Sequence, residues 1–334
     1  MRSICRIIAF LLVLFLAVPC AAETLTFTNG KETFSADSGE EYLNIPFRED
    51  IKNWSLFLVF LGKFPNLKQV DMYDVPKMYY KRVEEIHSRF PDVEFGITML
   101  IGSPSYECKV HSVRTDATAF STLHGYHYTA HSCKELSILR YCKKLYALDI
   151  GHNYLNDLSF LYEMPQLRVL IIAAAGGSLK DITPVGSLKH LEYLEIFVNS
   201  IRDISCLKDM PYLMDLNMQS NLIEDISPVK NLKSLKRLWI NQYTRKNKKA
   251  VSASIIADLQ EALPDCYIDG HSSSTDGGWR EDKDGNYHPH YEIIRRMFRS
   301  QVYEPFADSP AENIPEGFAP QAGKTDTAET GTNK

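Results

Sequence analysis

Leu145-Tyr-Ala-Leu148-Asp-Ile150-Gly-His-Asn153-Tyr-Leu155-Asn-Asp-Leu158 decides the reading of this chain, because its frame returns twice downstream. It comes back as Leu191, Leu194, Ile196, Asn199, Ile201 and Ile204, and again as Leu213, Leu216, Met218, Asn221, Ile223 and Ile226. The leading leucines stand at 145, 167, 191, 213 and 235, so the steps are 22, 24, 22 and 22. One step back from Leu145 lies a weaker copy: Leu123, Tyr126, Tyr128, His131, Cys133 and Leu136. Alternation inside the frame makes a short strand, with Leu148 and Ile150 inward and Ala147, Asp149 and Gly151 outward. Asn153, Asn199 and Asn221 then turn the chain, and their amides can bond backbone groups of neighbouring coils. Leaving such an amide unpaired costs about 1–3 kcal/mol, so the position is demanding.

An acidic–apolar–Ser/Thr turn follows each strand, as in Asp157-Leu158-Ser159 and Asp203-Ile204-Ser205. Pro184 and Pro228 come directly after two of these turns and argue against a long helix on the convex side. A fixed period of this length with this pattern is the leucine-rich-repeat signature. One coil buries roughly seven apolar side chains at about 1.5–3 kcal/mol each, against about 1–2 kcal/mol per residue for ordering its backbone. A lone coil therefore cannot stand, and stacking supplies the rest. The fold expected is an α/β solenoid: a right-handed superhelix of 22-residue coils with a parallel concave sheet and α/β caps at both ends.

The repeats are assigned to residues 119–245 of the 334. Residues 1–22 carry Arg2 and Arg6, an apolar run and small residues, which reads as a secretory signal peptide and places the protein outside the cell. A lipoprotein signal ending at Cys20 is the rival, and Pro19 before it argues against that. Cleavage would move the formal charge from −5 to −7, since the leader holds two arginines and no acids. No membrane segment is expected after cleavage, and an acidic chain without a basic tract offers no footing for nucleic acid. Residues 23–118 read as an N-terminal strand–helix cap. Thr24 to Phe34 alternate like one strand, and Tyr79, Val83, Ile86 and Phe90 share a helical face after the start signals Asp74 and Pro76. Residues 246–270 repeat the device, with Ile255, Ile256, Leu259 and Leu263 on a helix. Residues 271–306 form a linker and a short docked helix using Trp279, Tyr291, Ile294, Met297 and Phe298. Residues 307–334, with almost no apolar anchors, are expected to be disordered.

Five cysteines follow the leader. Cys133, Cys142 and Cys266 fall on inward positions as small hydrophobes, Cys206 sits at an exposed turn as the accessible thiol, and Cys108 has no assigned place.

The outward strand positions make columns across the hollow face. One runs Gly125, Ala147, Val169, Tyr193, Asp215, Arg237; the next His127, Asp149, Ile171, Glu195, Asn217, Trp239; the third Thr129, Gly151, Ala173, Phe197, Gln219, Asn241. Val169, Ile171, Ala173, Tyr193 and Phe197 form an apolar patch where solvated strands would be polar, with Trp239 nearby. Such a patch ringed by charge marks a partner site. A cap, the C-terminal segment or a second copy covering it is the alternative. The partner-binding set is therefore His127, Asp149, Val169, Ile171, Tyr193, Glu195, Phe197, Asp215, Asn217, Arg237 and Trp239.

The ladder asparagines and the Asp-Ile-Ser-Pro type of turn, intact at Asp225-Ile226-Ser227-Pro228, resemble the internalin-type leucine-rich-repeat proteins of Gram-positive bacteria. The whole chain looks like secreted repeat proteins of gut Firmicutes, including the RTDATAFSTL stretch at 114–123 and the GGWRE stretch at 277–281. The resemblance implies a concave sheet that binds a partner protein. The chain departs from those proteins in having few repeats, no following immunoglobulin-like domain and no wall anchor.

Function at this level is recognition of a protein or peptide through the concave sheet. A glycan or cell-envelope module is the alternative, with Tyr193, Phe197 and Trp239 stacking on sugar rings. A metal-dependent hydrolase would need His124, His127 and His131, whose spacing suits zinc on a helix. Their register puts them on a strand and turn instead. No phosphate loop, nucleophile elbow or helical metalloprotease motif is present, so no enzyme activity, cofactor or metal is expected.

Overall fold

The computed structural model describes residues 23–102, 110–123, 131–176, 179–242, 251–272 and 275–320. The expected leader, Cys108, His124 and His127 lie outside them.

The N-terminal unit opens with an antiparallel hairpin, β1 (Thr24–Asn29) and β2 (Glu32–Asp37). The alternation read as one strand thus runs through a turn. Gly30, at φ 64°, is the first of the two loop residues between the paired Asn29 and Glu32, a position where a tight hairpin turn favours glycine. Three parallel strands follow, β3 (Tyr42–Asn44), β4 (Gln69–Asp71) and β5 (Glu94–Gly96), joined by two helices. The first, α1 (Trp54–Leu61), is capped by the Asn53 side chain accepting from the Leu56 N–H. The second, α2 (Tyr80–Arg89), buries Val83 and Ile86, the face read from sequence. It begins later than Asp74 and Pro76 indicate, because Lys77 is left-handed at φ 60° and breaks the turn. A second hairpin, β6 (Thr98–Ile101) and β7 (His111–Arg114), leads to the main sheet.

That sheet has seven strands, all parallel. In chain order they are β8 (Ala119–Ser121), β9 (Ala147–Asp149), β10 (Val169–Ile171), β11 (Tyr193–Glu195), β12 (Asp215–Asn217), β13 (Arg237–Trp239) and β14 (Tyr267–Asp269). Between β8 and β9 lies the short helix α3 (Cys133–Leu136), and α4 (Ala253–Ala262) precedes β14. Leu148, Leu170, Leu194, Leu216 and Leu238 pair across the sheet and are fully buried in the core between it and the convex side. The convex side is built of five-residue 3-10 turns, such as Ser159–Glu163 and Ser227–Asn231. The recurring acid starts each turn. Asp157, Asp181, Asp203 and Asp225 accept the backbone N–H two residues on, at 2.8, 2.8, 2.8 and 2.9 Å.

The first strand differs from the expectation. Ala119 and Ser121, rather than Gly125 and His127, stand beside Ala147 and Asp149. The period resumes by His131, whose N–H donates to Asn153 at 2.8 Å and whose neighbour Ser132 bridges Tyr154. Phe120 fills the inward position of this coil, and Tyr126 lies outside the described residues. His131 is buried, 2.9 Å from His111. Among the described residues no group of His, Cys, Asp and Glu is arranged to hold a metal.

Each ladder asparagine is saturated. Asn221 accepts from Ile201 and donates to the carbonyls of Ile196, Met218 and Gln219. Asn153 and Asn199 bond alike, the latter accepting from Ala175. The residue before each ladder position, His152, Ala174, Val198 or Ser220, is left-handed. Each such non-glycine position costs of the order of 1 kcal/mol, which the asparagine bonds hold in place. Gln242 supplies the same bonds after β13, donating to Met218 and Ile240. In the coil of Leu167, Ala175 replaces the asparagine and the two extra residues come before Leu179; residues 177 and 178 are not among those described.

Candidate functional site

The columns read from sequence are present in register from β9 to β13: Ala147, Val169, Tyr193, Asp215 and Arg237, then Asp149, Ile171, Glu195, Asn217 and Trp239. All are buried, and so is Phe197. What covers them is the chain itself. Residues 275–318 cross the hollow of the sheet and build a second apolar core there, with Trp279, Ile294, Met297, Tyr303 and Phe306 against Val169, Ile171, Tyr193 and Trp239. The partner-binding set is thus, from β9 to β13, the floor of an intramolecular interface; His127 is outside the described residues.

The covering segment contains the helix α5 (Pro289–Ser300). His288 caps it and Pro289 starts it, where a missing N–H costs nothing. Ile293, Ile294 and Met297 are its buried face, so the docked helix expected here exists. Gln301, left-handed at φ 59°, ends it and passes its carbonyl to the Ala119 N–H. The tail is ordered further than its composition indicates. Residues 307–320 continue across the sheet, and Asn313 is fully buried. Its amide donates to Glu192 at 2.5 Å and to the His190 carbonyl at 3.0 Å, while its own carbonyl accepts from Arg168 at 2.8 Å. An anchor made of one amide and three partners on the repeats leaves no hydrophobic trace in the sequence.

Charge fixes the register of the cover. Asp215 accepts from Arg237 Nη2 and Nε, at 2.8 and 2.9 Å, and meets His290 Nδ1 at 2.6 Å. His290 Nε2 reaches Asp308 at 2.8 Å. Burial alone would lower the His290 pKa, but its bonds to the two carboxylates push it up to about 9, so the ring is cationic at neutral pH. Burial would raise Asp215, yet Arg237 and His290 hold it at about 2. Glu195 receives the Arg280 guanidinium at 2.5 Å, the Trp279 indole N–H at 2.7 Å and the Tyr193 hydroxyl. Trp239 donates to the Asp276 carbonyl at 3.0 Å. Glu195 and Asp215, expected to meet a partner molecule, are therefore bonded to the cover.

The cover stops short of filling the hollow. Above β8 to β10 it leaves a cleft of about 1480 Å³. Ser121, Asp149 and Ile171 form its floor, and Arg280, Tyr291 and Phe298 stand in its wall. Asp149 is 5% exposed; Gly151 N–H donates to one of its oxygens at 3.0 Å and Ser121 Oγ to the other at 3.1 Å. Burial pushes its pKa up to about 6, against the opposing Gly151 bond.

The cysteines are all free among those described. Cys206 is half-buried, donating to the Ile182 carbonyl, and burial pushes its thiol up to about 11, so it is not the accessible nucleophile its turn position indicates. Cys133 is half-buried rather than in the core, and accepts the N–H groups of Asn156 and Asp157. Cys142 and Cys266 are buried.

No family model and no curated protein matches the chain. Among solved structures, it is similar to an internalin (inlF) of Listeria monocytogenes at 20% identity, with a TM-score of 0.39 over 64% of this chain and 70% of that one. An internalin C2 of the same species aligns at 16% identity and TM-score 0.30, covering 63% and 74%. A leucine-rich-repeat protein of Leptospira interrogans aligns at 15% and 0.29, again covering 63% and 74%. The scores are too low to carry detail across. On its own strands and pairings, the chain is a stack of parallel coils with a recurring leucine frame, and residues 275–318 roof one face of its seven-stranded sheet.

Proposed function

We propose that this chain is a binding protein, not an enzyme: 22-residue coils closed at both ends by strand–helix caps, taking a protein or peptide partner at the concave sheet. The cleft over β8 to β10 carries this reading. It is a part of the hollow that the described residues leave open, and it joins sheet residues to the aromatic side chains Tyr291 and Phe298, which are half-buried at its wall. Half-buried aromatics beside a cleft are the side chains that supply affinity when a partner completes their burial. The composition of residues 1–22 supports action outside the cell. A glycan site built on Tyr193, Phe197 and Trp239 is not favoured, because Trp279, Phe306 and Arg280 already lie against those rings.

Panning a displayed peptide library against the protein tests the proposal. Recovered peptides are expected to bind Phe298→Ala and Tyr291→Ala at least about tenfold more weakly, the size of one lost aromatic anchor, and Tyr162→Ala as well as wild type. No enrichment, or enrichment indifferent to the two cleft substitutions, would refute it.

A further inference from the structure

From β9 to β13, three buried carboxylates stand on the two outward columns where the cover lies. Glu195 holds Arg280, and Asp215 holds Arg237 and His290. Asp149, also buried, makes no direct ion pair with any described residue: its two oxygens accept from the neutral Ser121 and Gly151 donors, and Arg280, bonded to Glu195, reaches it only through its field. Isolated buried carboxylates are costly, and they are normally neutralised by a proton or by a cation. The cationic groups of the cleft are placed elsewhere. Arg280 is committed to Glu195, and the Arg295 guanidinium lies 3.9 Å from the centre of the Tyr287 ring. Lys283 and Arg299 are exposed at the mouth, where Glu281 and Asp282 also stand. The mouth is balanced in sign, and the unmatched charge is at the floor.

We infer that the cleft selects a partner segment carrying a cationic side chain, and that Asp149 is its counter-ion. This rests on the reading of the cleft as the partner site. A guanidinium entering over Ile171 and beside Tyr291 would give Asp149 the partner that Glu195 and Asp215 already have. Its stem would lie against apolar and aromatic walls, as arginine stems do. Burial, the largest influence on Asp149, raises its pKa, as for a carboxylate without a bonded cation.

The probes are acetylated, amidated pentapeptides of alanine and tyrosine with arginine, glutamine or glutamate at the centre, titrated calorimetrically into the full chain. The arginine peptide is expected to bind wild type roughly tenfold tighter than the glutamine peptide, the size of a charge-assisted bond, with glutamate weakest. In Asp149→Asn, which keeps groups able to meet Ser121 and Gly151, arginine and glutamine peptides should bind within about twofold of each other. In wild type, the Asp149 carboxylate-carbon NMR signal should move with the arginine peptide and not with the glutamine one. Equal binding of all three peptides, abolished by Phe298→Ala, would overturn the role of Asp149 and leave the cleft as the partner site. A preference for arginine that persists in Asp149→Asn would also overturn it. No binding of any peptide at millimolar concentration would overturn the inference, while library peptides recovered at the cleft would still uphold the site.

Discussion

Replacing His290 by glutamine should change how stability depends on pH, and the size of the effect follows from two bonds. In the fold, His290 sits between Asp215 at 2.6 Å and Asp308 at 2.8 Å, and its pKa rises from 6.5 to about 9. A group whose pKa is raised by folding binds its proton more tightly in the native state. Its contribution is complete below pH 6.5 and is lost as the pH climbs through about 9. At about 1.4 kcal/mol per unit, the shift corresponds to roughly 3 kcal/mol. The depression of Asp215 reports the same contact and is not added to it. Wild type should therefore lose about 3 kcal/mol of unfolding free energy between pH 6.5 and 9.5, and His290→Gln should lose much less. At pH 6 the variant should be about 4 kcal/mol less stable, and by pH 9.5 the difference should shrink to about 1 kcal/mol, the worth of one neutral bond. Urea titrations read by tryptophan fluorescence measure this, because Trp239 and Trp279 lie 5.0 Å apart in the same interface. If the wild-type and variant curves stay parallel from pH 6 to 9.5, the charge network does not hold the cover in place.

Ending the chain after Gly270 would uncover Val169, Tyr193 and Trp239 together with Glu195 and Asp215. The truncated protein is expected to bind a hydrophobic dye and to self-associate on size exclusion; a monomer that ignores the dye would show that the cover is dispensable. Asn199→Ala removes bonds to the backbones of Ala175, Ile172 and Ile196, and should cost about 2–4 kcal/mol in urea unfolding, more than one buried bond. Cys206, its thiol pushed up from 9.0 to about 11, should react with iodoacetamide at pH 7.5 about a hundredfold more slowly in the folded protein than in urea. Mass spectrometry of the labelled peptide checks this, and equal rates would contradict the burial of that sulfur.

How much was legible beforehand follows from what kind of force placed each part. Leu148, Leu194 and Leu216 alternate with polar neighbours, and apolar period is written directly in sequence, so the strands from β9 to β13 and their columns could be read. Strand β8 escaped because it sits six residues ahead of the period, with Phe120 alone marking its inward side. The β1–β2 turn had a visible signal in Gly30, which the continuous alternation on either side outweighed.

The cover was harder for a deeper reason. Trp279 and the apolar face of α5 announced that something would dock, but where it docks depends on pairs far apart in the chain. Asp215 meets His290, Glu195 meets Arg280 and Glu192 meets Asn313. No periodicity records such pairs, and an acid on an outward strand position looks the same whether it faces water or a buried arginine. The signal that was available is the combination: an outward column with both Tyr193 and Trp239 beside it, and a downstream segment rich in aromatic residues and arginines. A hollow face that is too apolar for water and too charged for a simple core calls for a cover carrying both kinds of group. Residues 275–318 carry both. By the same argument Asp149, left without its cation, is where a group from another molecule has most to gain.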